Sequence, residues 1–157
     1  MSLTIKNINE KNREDILGLK VLKSQENFIE TIEECLDEAS EDSKWRTVGI
    51  YDEDIAVGFA MYALFLDEGK NGRVWLDRFL ISQEHQGKGY GENGIKLLIK
   101  QLYREYGYKK IYLSVYDINK NAIGLYKKIG FDFNGDVDLK GEKVMVINLD
   151  NMENLND

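Results

Sequence analysis

The chain has 157 residues, 43% of them hydrophobic and 31% charged, with a formal net charge of −7. That length and apolar content suit one folded domain and exclude wholesale disorder. No apolar run is long enough to span a bilayer, Met1 to Lys6 lacks the features of a signal peptide, and one cysteine with one histidine excludes both an internal disulfide and a Cys/His zinc site.

Leu3 to Ile8 alternates apolar and polar residues, the period of a half-buried strand. Asn12 stands where it would cap a short helix through about Val21, with Glu14 and Asp15 in the first turn. Ser24 would cap a second helix to about Ala39, whose apolar stripe is Phe28, Ile29, Ile32, Cys35, Leu36 and Ala39. Cys35 lies inside that stripe and reads as a small core residue rather than a nucleophile. The same segment holds the charge imbalance. Residues 24 to 42 carry eight acids (Glu26, Glu30, Glu33, Glu34, Asp37, Glu38, Glu41 and Asp42) and no Lys or Arg. Such a patch repels nucleic-acid phosphates and concentrates cations. Taken alone it reads as a solvated helix face; beside a catalytic site it would matter.

Trp45 to Tyr51 and Ile55 to Leu66 read as a hairpin around Asp52-Glu53-Asp54, followed by a polar loop from Asp67 to Gly72. Arg73 to Ile81 is apolar at nearly every position, as in a strand covered on both faces. A glycine-rich turn, Gly87-Lys88-Gly89-Tyr90-Gly91, opens a helix to about Tyr106. Lys110 to Tyr116 is a further strand; Asn119 caps a helix through Ile129, and Gly130 ends it. Phe131 to Val137 and Lys143 to Leu149 close as a strand pair. Residues 1–150 therefore read as one α/β (α+β) domain, a mixed sheet with helices on its faces, and residues 151–157 as a polar tail. A cytoplasmic address is the accompanying expectation.

The glycine turn carries the chemistry. Its glycines admit positive φ and close backbone approach, and the helix behind it offers unpaired N–H groups at its positive end. That is a diphosphate site in outline. Gly89 to Gly94 matches G-x-G-x-x-G, and Asp117 lies near where a ribose-binding acid belongs. The surrounding order argues against a dinucleotide fold, because a meander precedes the motif and repeated βαβ units are absent. The pattern G-x-x-x-x-G-K-[ST] is also absent.

Coenzyme A is the better ligand. Gln86-Gly87-Lys88-Gly89-Tyr90-Gly91 fits Q/R-x-x-G-x-G/A, and Asn119 to Phe131 fits N-x-x-A-x-x-L-Y-x-x-x-G-F. Both motifs resemble the GNAT superfamily of N-acetyltransferases, and so does the order of elements along almost the whole chain. Within it, Gln25 with Phe28-Ile29-Glu30, Val57 to Tyr62, Asn71 to Phe79, and Phe133-Asn134-Gly135 resemble the bacterial spermine/spermidine (diamine) acetyltransferases.

The resemblance implies a mostly antiparallel sheet of about seven strands with four helices, splayed between its fourth and fifth strands. It implies acetyl-CoA as co-substrate and no metal. The pantetheine arm would pair with main-chain groups of Phe79, Leu80 and Ile81. Gln86 and the segment Gly87, Lys88, Gly89, Tyr90, Gly91 and Glu92 would wrap the diphosphate. Tyr126 would protonate the departing sulfur, and Asn119 would serve as helix cap, coenzyme contact, or both. Asp77, an acid in an apolar strand beside the thioester, either pairs with Arg78 or Arg73 or faces the cleft, where it would anchor a cationic acceptor, with Glu30 and Glu34 on the acidic helix holding a distal ammonium. His85 reads as a surface residue. The expected partner is a small cationic amine, without nucleic acid or membrane, and a homodimer or larger assembly is common among such relatives. Acetylation of a protein N-terminus, a lysine, an amino sugar or a drug stays open, as does a coenzyme-binding sensor without turnover.

Overall fold

A computed structural model describes residues 2–20 and 31–151. Among them seven strands form a single sheet: β1 (Leu3–Asn7), β2 (Arg46–Asp52), β3 (Ile55–Phe65), β4 (Arg73–Ile81), β5 (Lys110–Val115), β6 (Asp132–Val137) and β7 (Lys143–Asn148). Four helices accompany them: α1 (Arg13–Leu17), α2 (Ile32–Glu41), α3 (Tyr90–Tyr106) and α4 (Lys120–Ile129). The strand order is β1-β2-β3-β4-β5-β7-β6, antiparallel throughout except for β4 beside β5. The expected splayed, mixed sheet is present. No helix among the described residues is long and apolar enough to cross a membrane.

Both helices of the N-terminal part differ from the sequence reading. Asn12 precedes α1 but does not cap it; its side chain accepts from the Asn9 N–H at 2.8 Å and donates to the Asn7 carbonyl at 2.9 Å. The helix stops at Leu17 rather than Val21. Gly18, a poor helix former, closes the turn, and the Lys20 N–H and carbonyl are then taken by Ser82 Oγ (3.1 Å) and the Gln83 N–H (2.7 Å). For the second helix, Ser24, Phe28 and Ile29 lie outside the described residues. Thr31, however, is extended (φ −66°, ψ 158°) and caps α2, so a helix does not run unbroken from 24 to 39. The Glu34 N–H donates to Thr31 Oγ1 at 3.1 Å, while the Glu34 carboxylate accepts from the Thr31 N–H at 3.3 Å. This reciprocal pair satisfies two otherwise orphaned donors and fixes the start of the helix.

The sheet is covered on both faces. On one face Ala60, Tyr62, Val74 and Leu76 pack against Ile95, Leu98, Ile99 and Leu102 of α3. On the other, Phe59, Met61 and Leu80 pack against Ile16 of α1 and Ile32, Cys35 and Leu36 of α2. Cys35 is a buried free thiol within this core, as expected.

One irregularity positions everything that follows. Met61 stands opposite Arg78 and Tyr62 opposite Leu76, so β4 carries one more residue than β3 at this point, Asp77. A bulge of this kind reverses the facing of the residues beyond it. Val74 and Leu76 face α3 before it; Phe79 and Ile81 face α3 after it, whereas Leu80 joins the opposite core. Removing the Thr31 cap tests the fold directly. Thr31→Ala should lower stability by about 1 kcal/mol and the Tm by roughly 2–4 °C, read by thermal unfolding; an unchanged Tm would contradict the capping assignment.

Candidate active site

Strands β4 and β5 pair only at Val74–Ile111 and Trp75–Tyr112. Beyond these the bulge turns β4 away and the strands part. The gap is a cleft of about 640 Å³, walled by Leu76 to Ile81 of β4, by Leu113 to Val115 of β5 and Tyr116 after it, and by the start of α4. Because β4 between Phe79 and Ile81 keeps its ladder with β3, only the edge facing β5 is left without a strand. An extended chain inserted there would complete the sheet, since unpaired strand edges accept further strands. Phe79, Leu80 and Ile81 lie along this edge, where the Ile81 carbonyl already accepts from the Gln86 side chain at 3.0 Å. Gln86 thus ties the turn to the end of β4.

The turn lies at one end of this cleft, with Gly87 and Gly91 in its wall. Gly87 (φ 80°) and Gly89 (φ 84°) are both left-handed, and nothing lies within 4 Å of a Cβ added at Gly87. Glycine is required there by the backbone angle, not by space. Gly89 is the N-cap of α3, so the N–H groups from Gly89 through Glu92 have no intrahelical acceptor. Four such donors, the first on left-handed Gly89 and all preceded by left-handed Gly87, fit a diphosphate. The side chains have other work. Tyr90 donates its phenol proton to Asp52 Oδ2 at 2.6 Å, which ties the loop to the end of β2. Glu92 is held well below the ordinary carboxylate range by Lys128 and Lys96, at 3.0 and 3.1 Å, and joins α3 to α4. Lys88 is exposed.

Gly94 is buried, but a Cβ there would meet Phe79 at an ordinary van der Waals distance of 3.5 Å, so the last glycine of the G-x-G-x-x-G match is not required for close helix–strand packing. Asp117 makes an exposed ion pair with Lys143 at 3.1 Å. Neither observation supports a dinucleotide site.

Asn119 and Tyr126 come from α4, and both line the cleft. The Asn119 side chain accepts from the Ala122 N–H at 3.4 Å, so it caps the helix and walls the cleft at once. Seven residues on, two turns along the same face, Tyr126 lies edge-on to Phe131 with ring centres 5.8 Å apart. Burial pushes its phenol up to about 12. No protein group among the described residues bonds the Tyr126 hydroxyl, so a protonated donor stands in the cleft wall at neutral pH.

The acidic residues divide. Asp77 is in the cleft wall, with Arg78 Nη1 at 3.9 Å from its carboxylate and 2.9 Å from its own main-chain oxygen. Glu34 is exposed and engaged in the Thr31 cap, while Glu30 lies outside the described residues. His85, expected at the surface, is half-buried in the cleft wall, edge-on to Tyr90 at 6.1 Å. The sequence reading missed one residue altogether: Glu142, immediately before β7, is buried and lines the same cleft. Nothing in Lys140-Gly141-Glu142-Lys143 distinguishes it from an exposed charged turn.

Residues 11–131 match the model of the acetyltransferase (GNAT) family. The chain is 48% identical over 149 residues to the spermine/spermidine N(1)-acetyltransferase of Bacillus subtilis, spanning 93% of this chain and 98% of that one. Among solved structures, the spermidine N-acetyltransferase of Vibrio cholerae in complex with CoA and spermine superposes with a TM-score of 0.71 at 20% identity, covering 95% of this chain and 96% of that one. The PaiA N-acetyltransferase of Thermoplasma acidophilum in complex with coenzyme A gives 0.69 at 17% identity, over 94% and 99%. The parted strands, the left-handed glycines ahead of a helix and the cleft tyrosine agree with these likenesses: the chain belongs to the GNAT family of acetyltransferases.

Proposed function

We propose that the chain is an acetyl-CoA-dependent N-acetyltransferase whose acceptor is a primary amine of a polyamine such as spermidine or spermine, with direct transfer in a ternary complex. The observation that carries the chemistry is the parted β4–β5 cleft, with its donor-rich turn at one end and the Tyr126 phenol in its wall. The acceptor class rests on the 48% identity to the Bacillus polyamine enzyme. The fold alone would not select it, because one fold serves many substrates. The reading carries a cytoplasmic address and no nucleic-acid or membrane partner.

Transfer makes one N–C bond and breaks one C–S bond; the amine loses a proton and the sulfur gains one. When bound, acetyl-CoA supplies the activated acetyl group. The chain must hold that group, receive a cation, and move the protons. Main-chain N–H groups from Gly87 to Glu92 suit the diphosphate, and the free edge at Phe79 to Ile81 suits an amide-bearing arm. A main-chain N–H of that edge would polarise the acyl carbonyl. Tyr126 donates a proton toward the sulfur, and its raised pKa keeps it in the donor form across the physiological range.

The amine presents the larger barrier. An alkylammonium with a pKa near 10.4 is neutral in only about one molecule in a few thousand at pH 7. Desolvation inside a half-apolar cleft favours the neutral form, and a carboxylate in its wall directs the cation inward before the proton leaves. Asp77 occupies such a position.

Coenzyme binding is tested by thermal shift. Acetyl-CoA and CoA should raise the Tm, with roughly 2.7 kcal/mol of stabilisation at a hundred times Kd, and NAD should leave it unchanged; a shift with NAD alone would overturn the assignment. The acid is tested by Tyr126→Phe, which should lower kcat by about 10²–10⁴-fold while the acetyl-CoA-induced shift in Tm persists. Turnover at the wild-type rate would remove Tyr126 from the mechanism. Thiol release measured across an amine panel identifies the acceptor: spermidine and spermine should give a higher kcat/KM than a lysine peptide or an amino sugar.

A further inference from the structure

Glu142 is a carboxylate that the mechanism above leaves unused. It is 8% exposed and lines the cleft, yet it comes from the turn between β6 and β7. The turn is built to hold it there. The Glu142 N–H donates to Asp138 Oδ1 at 2.8 Å, the Asp138 N–H donates to the Glu142 carbonyl at 2.9 Å, and the Gly141 N–H donates to the Asp138 carbonyl at 3.1 Å. Register then brings it to the cleft: Ser114 stands opposite Val144 and Val115 opposite Lys143, so the residue before Lys143 lies against the end of β5 where β4 has parted from it.

Its surroundings do not complete its hydrogen bonding. The Ser114 hydroxyl donates to Oε2 at a long 3.3 Å, and no Lys or Arg lies within ion-pair distance of the carboxylate among the described residues. Burial, and after it Asp138, push its carboxyl above the ordinary range; the charge of Arg78 across the gap, Ser114 and Lys140 hold it back only in part. A buried carboxylate is unfavourable unless something compensates it, and a fixed turn holding one in a cleft wall is therefore a site for a cation. The cleft wall carries two acids, Asp77 and Glu142, and two bases, Arg78 and the exposed Lys120, so a cation is favoured there locally, at Glu142, which has no base within ion-pair distance among the described residues.

We propose that Glu142 receives an ammonium group of the acceptor inside the cleft, forming with Asp77 on the opposite strand the two carboxylates that select a cationic amine. The inference rests on the acetyltransferase reading and extends it, because the amine is drawn between β4 and β5 by residues from both walls. Glu142 acts by contact with the substrate cation; Asp138 is a positioning residue that acts through the turn.

The test uses the full chain with acetyl-CoA and spermidine. Glu142→Gln should raise the KM for spermidine roughly ten- to a hundredfold, leave the KM for acetyl-CoA within twofold, and abolish the further rise in Tm that spermidine gives in the presence of CoA. Glu142→Asp, which keeps the charge on a shorter arm, should recover part of the loss. Because a carboxyl whose folded pKa is raised destabilises the folded state at neutral pH, Glu142→Gln should also keep or increase the Tm of the ligand-free protein. A purely structural Glu142 gives the opposite pattern, a lowered Tm with an unchanged KM for spermidine, and that result overturns the proposal. If the wild-type chain acetylates no amine, the acetyltransferase reading itself fails, an outcome distinct from a wild-type enzyme whose Glu142→Gln variant binds spermidine normally.

Discussion

Two residues of parallel pairing hold β4 to β5, and then the sheet opens. Continuous pairing would satisfy every main-chain group on this edge and leave no room for a ligand. The bulge at Asp77 ends that continuity. It bends β4, reverses the facing of Phe79 to Ile81, and leaves one main-chain edge unfilled in the middle of an otherwise complete sheet. Such an edge inside a protein is unstable in isolation, because buried main-chain groups need partners. An extended amide chain would supply them. The cleft is thus a break in strand pairing that such a chain would repair, and the bulge lies where the break begins.

The rest of the site is arranged around that opening by ordinary local rules. Gly89 ends the turn and begins α3, so four main-chain donors and the positive end of a 17-residue helix lie together. Tyr90 and Gln86 fasten this turn to β2 and β4 through their side chains, which leaves its main chain available. Tyr126 is presented by a helix whose start is fixed by Asn119 and whose end is fixed by Gly130. The phenol and the donor-rich turn flank one cleft, and the carboxylates of Asp77 on β4 and Glu142 in the turn before β7 line it. On the proposed reading, anion, acyl group and cation would be received by different elements, each with chemistry suited to one of them.

Much of this was legible in the sequence, for reasons that are local. Strand periods, the Asn119 cap, the Gly130 stop and the glycine spacing each depend on neighbours within a few residues, and the structure follows them. The expected boundaries failed where distant contacts intervene. Lys20 is drawn to Ser82 and Gln83, which ends α1 early, and the Thr31–Glu34 pair starts α2 later than a stripe of apolar residues suggested. That pair also engages Glu34, which the sequence reading assigned to the substrate. The bulge at Asp77 depends on register with β3, and Glu142 reaches the cleft only because β7 lies beside β5 although it is distant in the chain. Neither has a local signature.

The central claim is that the gap between β4 and β5 is a seat for the coenzyme's arm. A crystal structure with CoA measures it directly. The diphosphate should accept hydrogen bonds from main-chain N–H groups within residues 87–92, and the pantetheine amides should pair with β4 at Phe79 to Ile81, with the sulfur approaching Tyr126. A bound coenzyme that leaves the gap closed, or that lies outside it with the turn untouched, would contradict the account.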